Sequence, residues 1–148
     1  MTLVDRFEAY AADFELTFVD DQWQRLGRHF AENAVYSTPA NGVRVPGRAN
    51  VLATLRAAVS GFDRRCDTRN LRTTGGPREE GDEVSREWKA RFTLGGAPPL
   101  EIEGSERARF RGGQIELLEV TLASETLARL LEYAATYLAP RSGRQPDG

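Results

Sequence analysis

The chain has 148 residues, of which 40% are hydrophobic and 28% charged. That balance suits one globular domain with one core and excludes both a disordered and a membrane composition. A formal net charge of −2, with Arg interleaved among Glu and Asp, offers no basic surface for nucleic acid. No apolar run approaches the roughly 20 residues needed to span a bilayer. The N-terminus carries acids where a secretion signal would have a basic flank and an apolar core, so a cytoplasmic protein is expected. One cysteine, Cys66, excludes an intramolecular disulfide, and a single His beside it argues against a structural zinc site.

In chain order, Leu3, Phe7, Tyr10, Phe14 and Phe18 recur at steps of three and four, which predicts a helix over about 2–18 with one buried face. Asp20 or Asp21 can cap a second helix with Trp23, Leu26 and Phe30 as its stripe. His29 lies off that stripe and is expected at the surface. Val35 to Thr38 reads as a short strand ended by Pro39 and the Asn41-Gly42 turn. A third helix opens after Pro46-Gly47 and buries Val51, Leu52, Leu55, Val59 and Phe62.

The period then changes from 3.6 to 2. Residues 64–74 form a strand rich in Arg and Thr, followed by a loop from Gly75 to Asp82. Over 83–94, Val84, Arg86, Trp88, Ala90, Phe92 and Leu94 share one face. Over 100–110, Leu100, Ile102, Gly104, Glu106, Ala108 and Phe110 do the same. A last strand spans 114–122, and Ser124 caps a C-terminal helix carrying Leu127, Leu130, Leu131, Ala134 and Leu138. No internal repeat is visible. Helices followed by a strand meander define an α+β fold with helices on one face of a curved antiparallel sheet, as a single domain over 1–139 with a disordered tail over 140–148.

Strands 83–94 and 100–110 should form a hairpin through the loop Gly95 to Pro99. Opposite charges across its outer face restrict the register: Arg91 against Glu101 or Glu103 is acceptable, and Lys89 against Arg107 is not. Under those registers Arg86 lies opposite or diagonal to Glu106, both in apolar inner rows. An unpaired buried charge costs several kcal/mol, so each needs the other, a ligand or water. Two readings stand: a buried ion pair (or an Arg86 that snorkels to the rim), and a pair that contacts ligand. Without a cationic partner, Glu106 would favour its neutral, hydrogen-bond-donating form.

The order of elements, Phe30-Ala31-Glu32-Asn33-Ala34-Val35-Tyr36 at the helix-to-strand junction, Gly47-Arg48 opening the third helix, and the turn Phe110-Arg111-Gly112-Gly113-Gln114-Ile115 resemble the nuclear transport factor 2-like superfamily, in its SnoaL-like polyketide cyclase and steroid Δ-isomerase branch. The resemblance covers residues 3–122. It implies a cone in which a bent sheet wraps the helices around a pocket, with Tyr10, Phe14, Tyr36, Thr38, Trp88, Ala90, Phe92, Glu106 and Leu118 inward. Steroid isomerases of this branch use a carboxylate base and an oxyanion hole of a Tyr and a protonated carboxylic acid. Here Glu106 falls at the acid, Thr38 at the base and Phe14 at the Tyr, with Tyr10 one turn away. A Thr hydroxyl cannot take a proton from carbon near neutral pH, which disfavours that reaction.

Some members carry His-x-x-x-Asn after the third helix; Cys66 stands for the His and Asn70 matches the Asn. Epoxide hydrolase-like members need an Asp-Arg-Asp set, for which Asp67, Arg69 and Glu119 are of the right type. Parity puts Asn70 and Arg69 on opposite faces, and the Asn70 face is expected inward. Two functions follow. One is an enzyme doing acid–base chemistry on a small hydrophobic molecule, with Glu106, Arg86 and Asn70 catalytic. Tyr10, Phe14, Tyr36, Thr38, Trp88, Phe92 and Leu118 would then bind substrate. The other is a non-catalytic ligand-binding or dimerisation domain. The absence of Gly-x-Gly-x-x-Gly, a P-loop or a His pair leads us to expect no metal and no cofactor. The resemblance implies a sheet-to-sheet homodimer.

Overall fold

The computed structural model describes residues 1–138. Helix α1 spans Leu3–Asp20 and opens on a reciprocal cap: Thr2 Oγ1 accepts from the Asp5 amide and Asp5 from the Thr2 amide, each at 3.0 Å. A 3-10 segment, Trp23–His29, leads directly into β1, Phe30–Thr38. Then follow β2 (Val43–Pro46), α2 (Arg48–Gly61), β3 (Thr68–Glu80), β4 (Glu83–Thr93), β5 (Leu100–Arg111), β6 (Gln114–Leu122) and α3 (Ser124–Tyr133), the last continuing as a π-helical turn over Ala134–Leu138. The six strands form one sheet in the order β2-β1-β6-β5-β4-β3, antiparallel except for β1 beside β6.

Burial follows the strand alternation. Val84, Trp88, Ala90 and Phe92 of β4 and Leu100, Ile102, Glu106, Ala108 and Phe110 of β5 are all buried. Phe7 and Tyr10 of α1 and Val51, Leu55 and Val59 of α2 fill one half of the concave side. Trp88, Phe92, Ile102 and Tyr133 fill the other. The β4–β5 register sets Arg91 opposite Glu101, Lys89 opposite Glu103 and Arg86 directly opposite Glu106, one of the registers that charge pairing permits.

Four local expectations are corrected. The second helix is a 3-10 segment, since a Trp23-Leu26 step of three suits that geometry equally and Gly27 weakens an α-helix. The edge strand β2 was not foreseen. Strand β3 continues through the supposed Gly75–Asp82 loop as far as Glu80, its register shifting on both sides of Gly75. Such irregularities let a strand absorb Gly and Pro without ending. Leu131, expected in the buried stripe of α3, is 59% exposed. The expected tail 140–148 lies outside the described residues.

Candidate functional site

On the concave side a cavity of about 180 Å³ lies between α1, α2 and strands β1, β3, β4, β5 and β6. Tyr10 and Phe14 reach it from α1, Tyr36 from β1, Arg86 and Trp88 from β4, Glu106 from β5 and Leu118 from β6. Seven of the residues expected at the site therefore converge.

Glu106 is 8% exposed. Arg86 Nε and Nη2 both lie 2.9 Å from its Oε1, while Arg86 Nη1 donates to Thr73 Oγ1 at 3.1 Å. The guanidinium carbon stands 5.3 Å from the Phe7 ring centroid, a cation–π contact. Arg86 thus holds one carboxylate oxygen; Oε2 has no hydrogen-bond partner among the described residues. Burial pushes the Glu106 carboxyl above its ordinary value, and the charge and hydrogen bond of Arg86 offset this only in part.

Tyr10 and Tyr36 are 2% and 9% exposed. Neither phenol oxygen has a hydrogen-bond partner among the described residues. Burial, reinforced by the nearby Glu106 charge, pushes the Tyr10 phenol well up and the Tyr36 phenol to about 12. Both therefore stay protonated and remain donors. A buried hydroxyl without a partner costs about 1–3 kcal/mol, so two on one cavity wall mark a surface built to meet a polar atom.

A second polar cluster borders the same cavity. Arg69, its side chain 4% exposed, donates Nε to Asp63 Oδ2 at 2.7 Å and Nη1 and Nη2 to Glu15 at 2.6 and 3.2 Å. Its guanidinium carbon lies 4.6 Å from the Phe18 centroid. Burial raises the Asp63 carboxyl despite Arg69.

Three expected site residues lie elsewhere. Asn70 is exposed and pairs with Arg91 on the outer face. The inward face of β3 belongs to Arg69 and Leu71, because Glu15, Asp63 and Phe18 satisfy a buried guanidinium there. Thr38 lies beyond the cavity, at the end of β1, where its hydroxyl bonds Asn41. Phe92 is buried, but it lines a neighbouring apolar cavity. The trio Asp67, Arg69 and Glu119 is not assembled: Asp67 accepts from the Gly95 amide at 2.7 Å, and Glu119 pairs with Arg107 at 2.9 Å. His29, expected at the surface, has a side chain only 12% exposed. Its Nε2 sits 2.7 Å from Asp13 Oδ2, with its ring edge-on to Tyr10. Sequence reading missed Asp63 and Glu15 as site residues and weighed Arg69 only in the Asp67-Arg69-Glu119 set, on the face expected outward. Their one local sign was Glu15 beside Phe14 on the helix face that turns to the cavity.

Among the described residues, no group of three or more His, Cys, Asp or Glu is placed to hold a metal ion. No helix among them is long and apolar enough to cross a membrane.

A curved six-stranded sheet with helices packed on its concave side is the architecture of the nuclear transport factor 2-like class. More particularly, the profile of the SnoaL-like domain matches residues 7–118, and the chain belongs to that family. No functionally curated protein matches it. Among solved structures, TerC co-crystallised with polyporic acid superposes with a TM-score of 0.66 at 15% identity, covering 88% of this chain and 98% of TerC. A protein with a ketosteroid isomerase-like fold from Catenulispora acidiphila, in complex with trimethylamine, gives 0.61 at 20% identity, covering 93% and 97%. A candidate SnoaL-like polyketide cyclase from Shewanella denitrificans gives 0.63 at 11%, covering 84% and 96%. At these identities the likeness concerns the fold.

Proposed function

We propose that this protein is an acid–base enzyme acting on a small hydrophobic molecule that carries a carbonyl or enol oxygen: an isomerase, cyclase or dehydratase. The observation that carries the reading is the Glu106 carboxyl, buried and raised in pKa, beside two phenol donors that lack partners of their own. In this reading Tyr10 and Tyr36 donate to the substrate oxygen and favour the charge that grows there as an enolate forms. Glu106 takes a proton from carbon and returns it at another position. Arg86 fixes the Glu106 rotamer through Oε1 and leaves Oε2 to do the transfer. Because Thr38 lies outside the cavity, both halves of the transfer fall to one carboxyl, which suits a shift of a proton along one face of the substrate.

A second reading is a non-catalytic binding or dimerisation domain, in which Glu106 and Arg86 serve only to neutralise each other. The two 2.9 Å contacts on a single oxygen favour it. Pairing of copies would then use the charged outer sheet face, where Arg107 already bridges Glu83 and Glu119.

Exchange of α-hydrogens in D₂O separates the two. With a panel of small cyclic ketones followed by proton NMR, the wild type should accelerate exchange of at least one ketone, and Glu106→Gln should lower that rate by about 100-fold or more. Binding without acceleration for every ketone would leave the binding domain.

A further inference from the structure

A second cavity, of about 370 Å³, adjoins the first, and Ala58, Asp63, Leu71 and Trp88 line both. Its remaining wall is apolar: Phe62, Phe92 and Ile102 on one side, Leu130, Leu131 and Ala134 at the C-terminal helix on the other. Asp63 is the one ionisable side chain among the described residues that line it. Arg69 accounts for one oxygen of this carboxylate, Oδ2, and so for its charge in such a hollow.

Asp63 is also only half used. Its Oδ2 takes Arg69 Nε, and the other nitrogens of Arg69 turn away to Glu15. No other described residue donates a hydrogen bond to Asp63 Oδ1, and beyond Arg69 only the residue's own amide supports the carboxyl. The guanidinium, gripped by Glu15 and stacked on Phe18, keeps the carboxyl from turning freely. A fixed acceptor therefore sits on the wall that the two cavities share.

We propose that Asp63 is a second polar anchor, and that the natural ligand is an elongated hydrophobic molecule with two oxygen functions. One oxygen lies at Tyr10, Tyr36 and Glu106; a hydroxyl further along donates to Asp63 Oδ1; the carbon end beyond it lies under α3. The inference rests on the reading of the inner cavity given above. It makes Asp63 a specificity determinant, since a site built to accept from a hydroxyl penalises the analogue that lacks one.

Binding of 2-naphthol and of the 1,5-, 2,6- and 2,7-dihydroxynaphthalenes, followed by their own fluorescence, tests it. In the wild type the best-fitting diol should bind about tenfold more tightly than 2-naphthol. Asp63→Ala should remove that gain, bringing the affinities of the diol and of 2-naphthol to within about twofold of each other, with thermal melting checking that the variant folds. Asp63→Asn, whose amide oxygen still accepts, should keep part of the gain. Glu106→Gln should weaken 2-naphthol and diol alike and preserve their ratio. A ratio near one for every diol, or a ratio equally large in Asp63→Ala, overturns the anchor while 2-naphthol binding sustains the inner site. If 2-naphthol does not bind the wild type, the inner-site reading falls and the anchor falls with it.

Discussion

Trp88 and Gly104 face each other across β4 and β5, and the indole occupies the space that a side chain on Gly104 would need. A Cβ there would stand 2.6 Å from Trp88 Cζ2 and 2.8 Å from Leu122 Cδ2. Trp88 in turn lines both cavities, so the glycine sets how far the indole can settle into the sheet. Gly104→Ala should therefore cost about 1–3 kcal/mol, the usual penalty of overpacking, and should shift Trp88 fluorescence as the ring is pushed inward. Urea denaturation and emission spectra check both. An alanine variant as stable as the wild type, with unchanged emission, would mean that the neighbours yield freely.

Charge pairing narrowed the register that creates this contact to two, Arg91 against Glu101 or Glu103, and the structure adopts the first. Arg91 and Glu101 sit on the outer face, where electrostatics operates between residues ten positions apart, and placing them in register aligns Arg86 with Glu106. The inward face of β3 was not legible. Alternation offers Arg69 and Leu71 or Cys66 and Asn70, and a free guanidinium belongs in water. Arg69 turns inward because Glu15, 54 residues away on α1, and Asp63 together neutralise it. No pattern within the strand encodes partners on other elements. The cavity walls contributed by α1, β4 and β5 were readable for the opposite reason: each follows from its own period.

The ionisation of Glu106 should show in stability. Its carboxyl is raised above 4.5 in the folded protein by burial, so the folded state holds that proton more tightly than the unfolded chain does. Glu106 then contributes its full stability below the unfolded value and loses it as pH rises through the folded one. Relative to Glu106→Gln, which does not titrate, the wild type should lose stability as pH rises from about 4.5, by up to ~1.4 kcal/mol per pH unit inside the window. Parallel urea-denaturation curves for the two proteins between pH 4 and 7 would show that Arg86 fully compensates the burial.

Asp13 should behave in the opposite sense. It is itself buried, yet the hydrogen bonds from His29 and Arg28, 2.7 and 2.6 Å, outweigh burial and hold its carboxyl below the usual range. A depressed carboxylate contributes stability above its unfolded pKa, near 3.8, and loses it as pH falls through the folded value. Asp13→Asn should cost about 1.5–3 kcal/mol near pH 7, typical of hydrogen bonds to a charged group. That difference should shrink as pH drops below 4. A cost that persists unchanged at pH 3 would assign it to packing of α1 against the Trp23–His29 segment.

The two phenols give the sharpest separation between a wall and a working site. A tyrosine whose hydroxyl is buried without a partner carries a desolvation cost that the folded protein meets elsewhere. Removing that hydroxyl in Tyr36→Phe or Tyr10→Phe leaves the ring in place and deletes only the unpaired oxygen. Each variant should be as stable as the wild type or more stable, by up to about 1 kcal/mol in thermal or urea melts. A hydroxyl that served the fold would give the reverse. If the same oxygens meet a ligand, each Phe variant should also weaken 2-naphthol by about tenfold, so that stability and affinity move in opposite directions. Unchanged affinity in both variants would reduce Tyr10 and Tyr36 to core aromatics, and Glu106 would lose the donors on which its proposed chemistry depends.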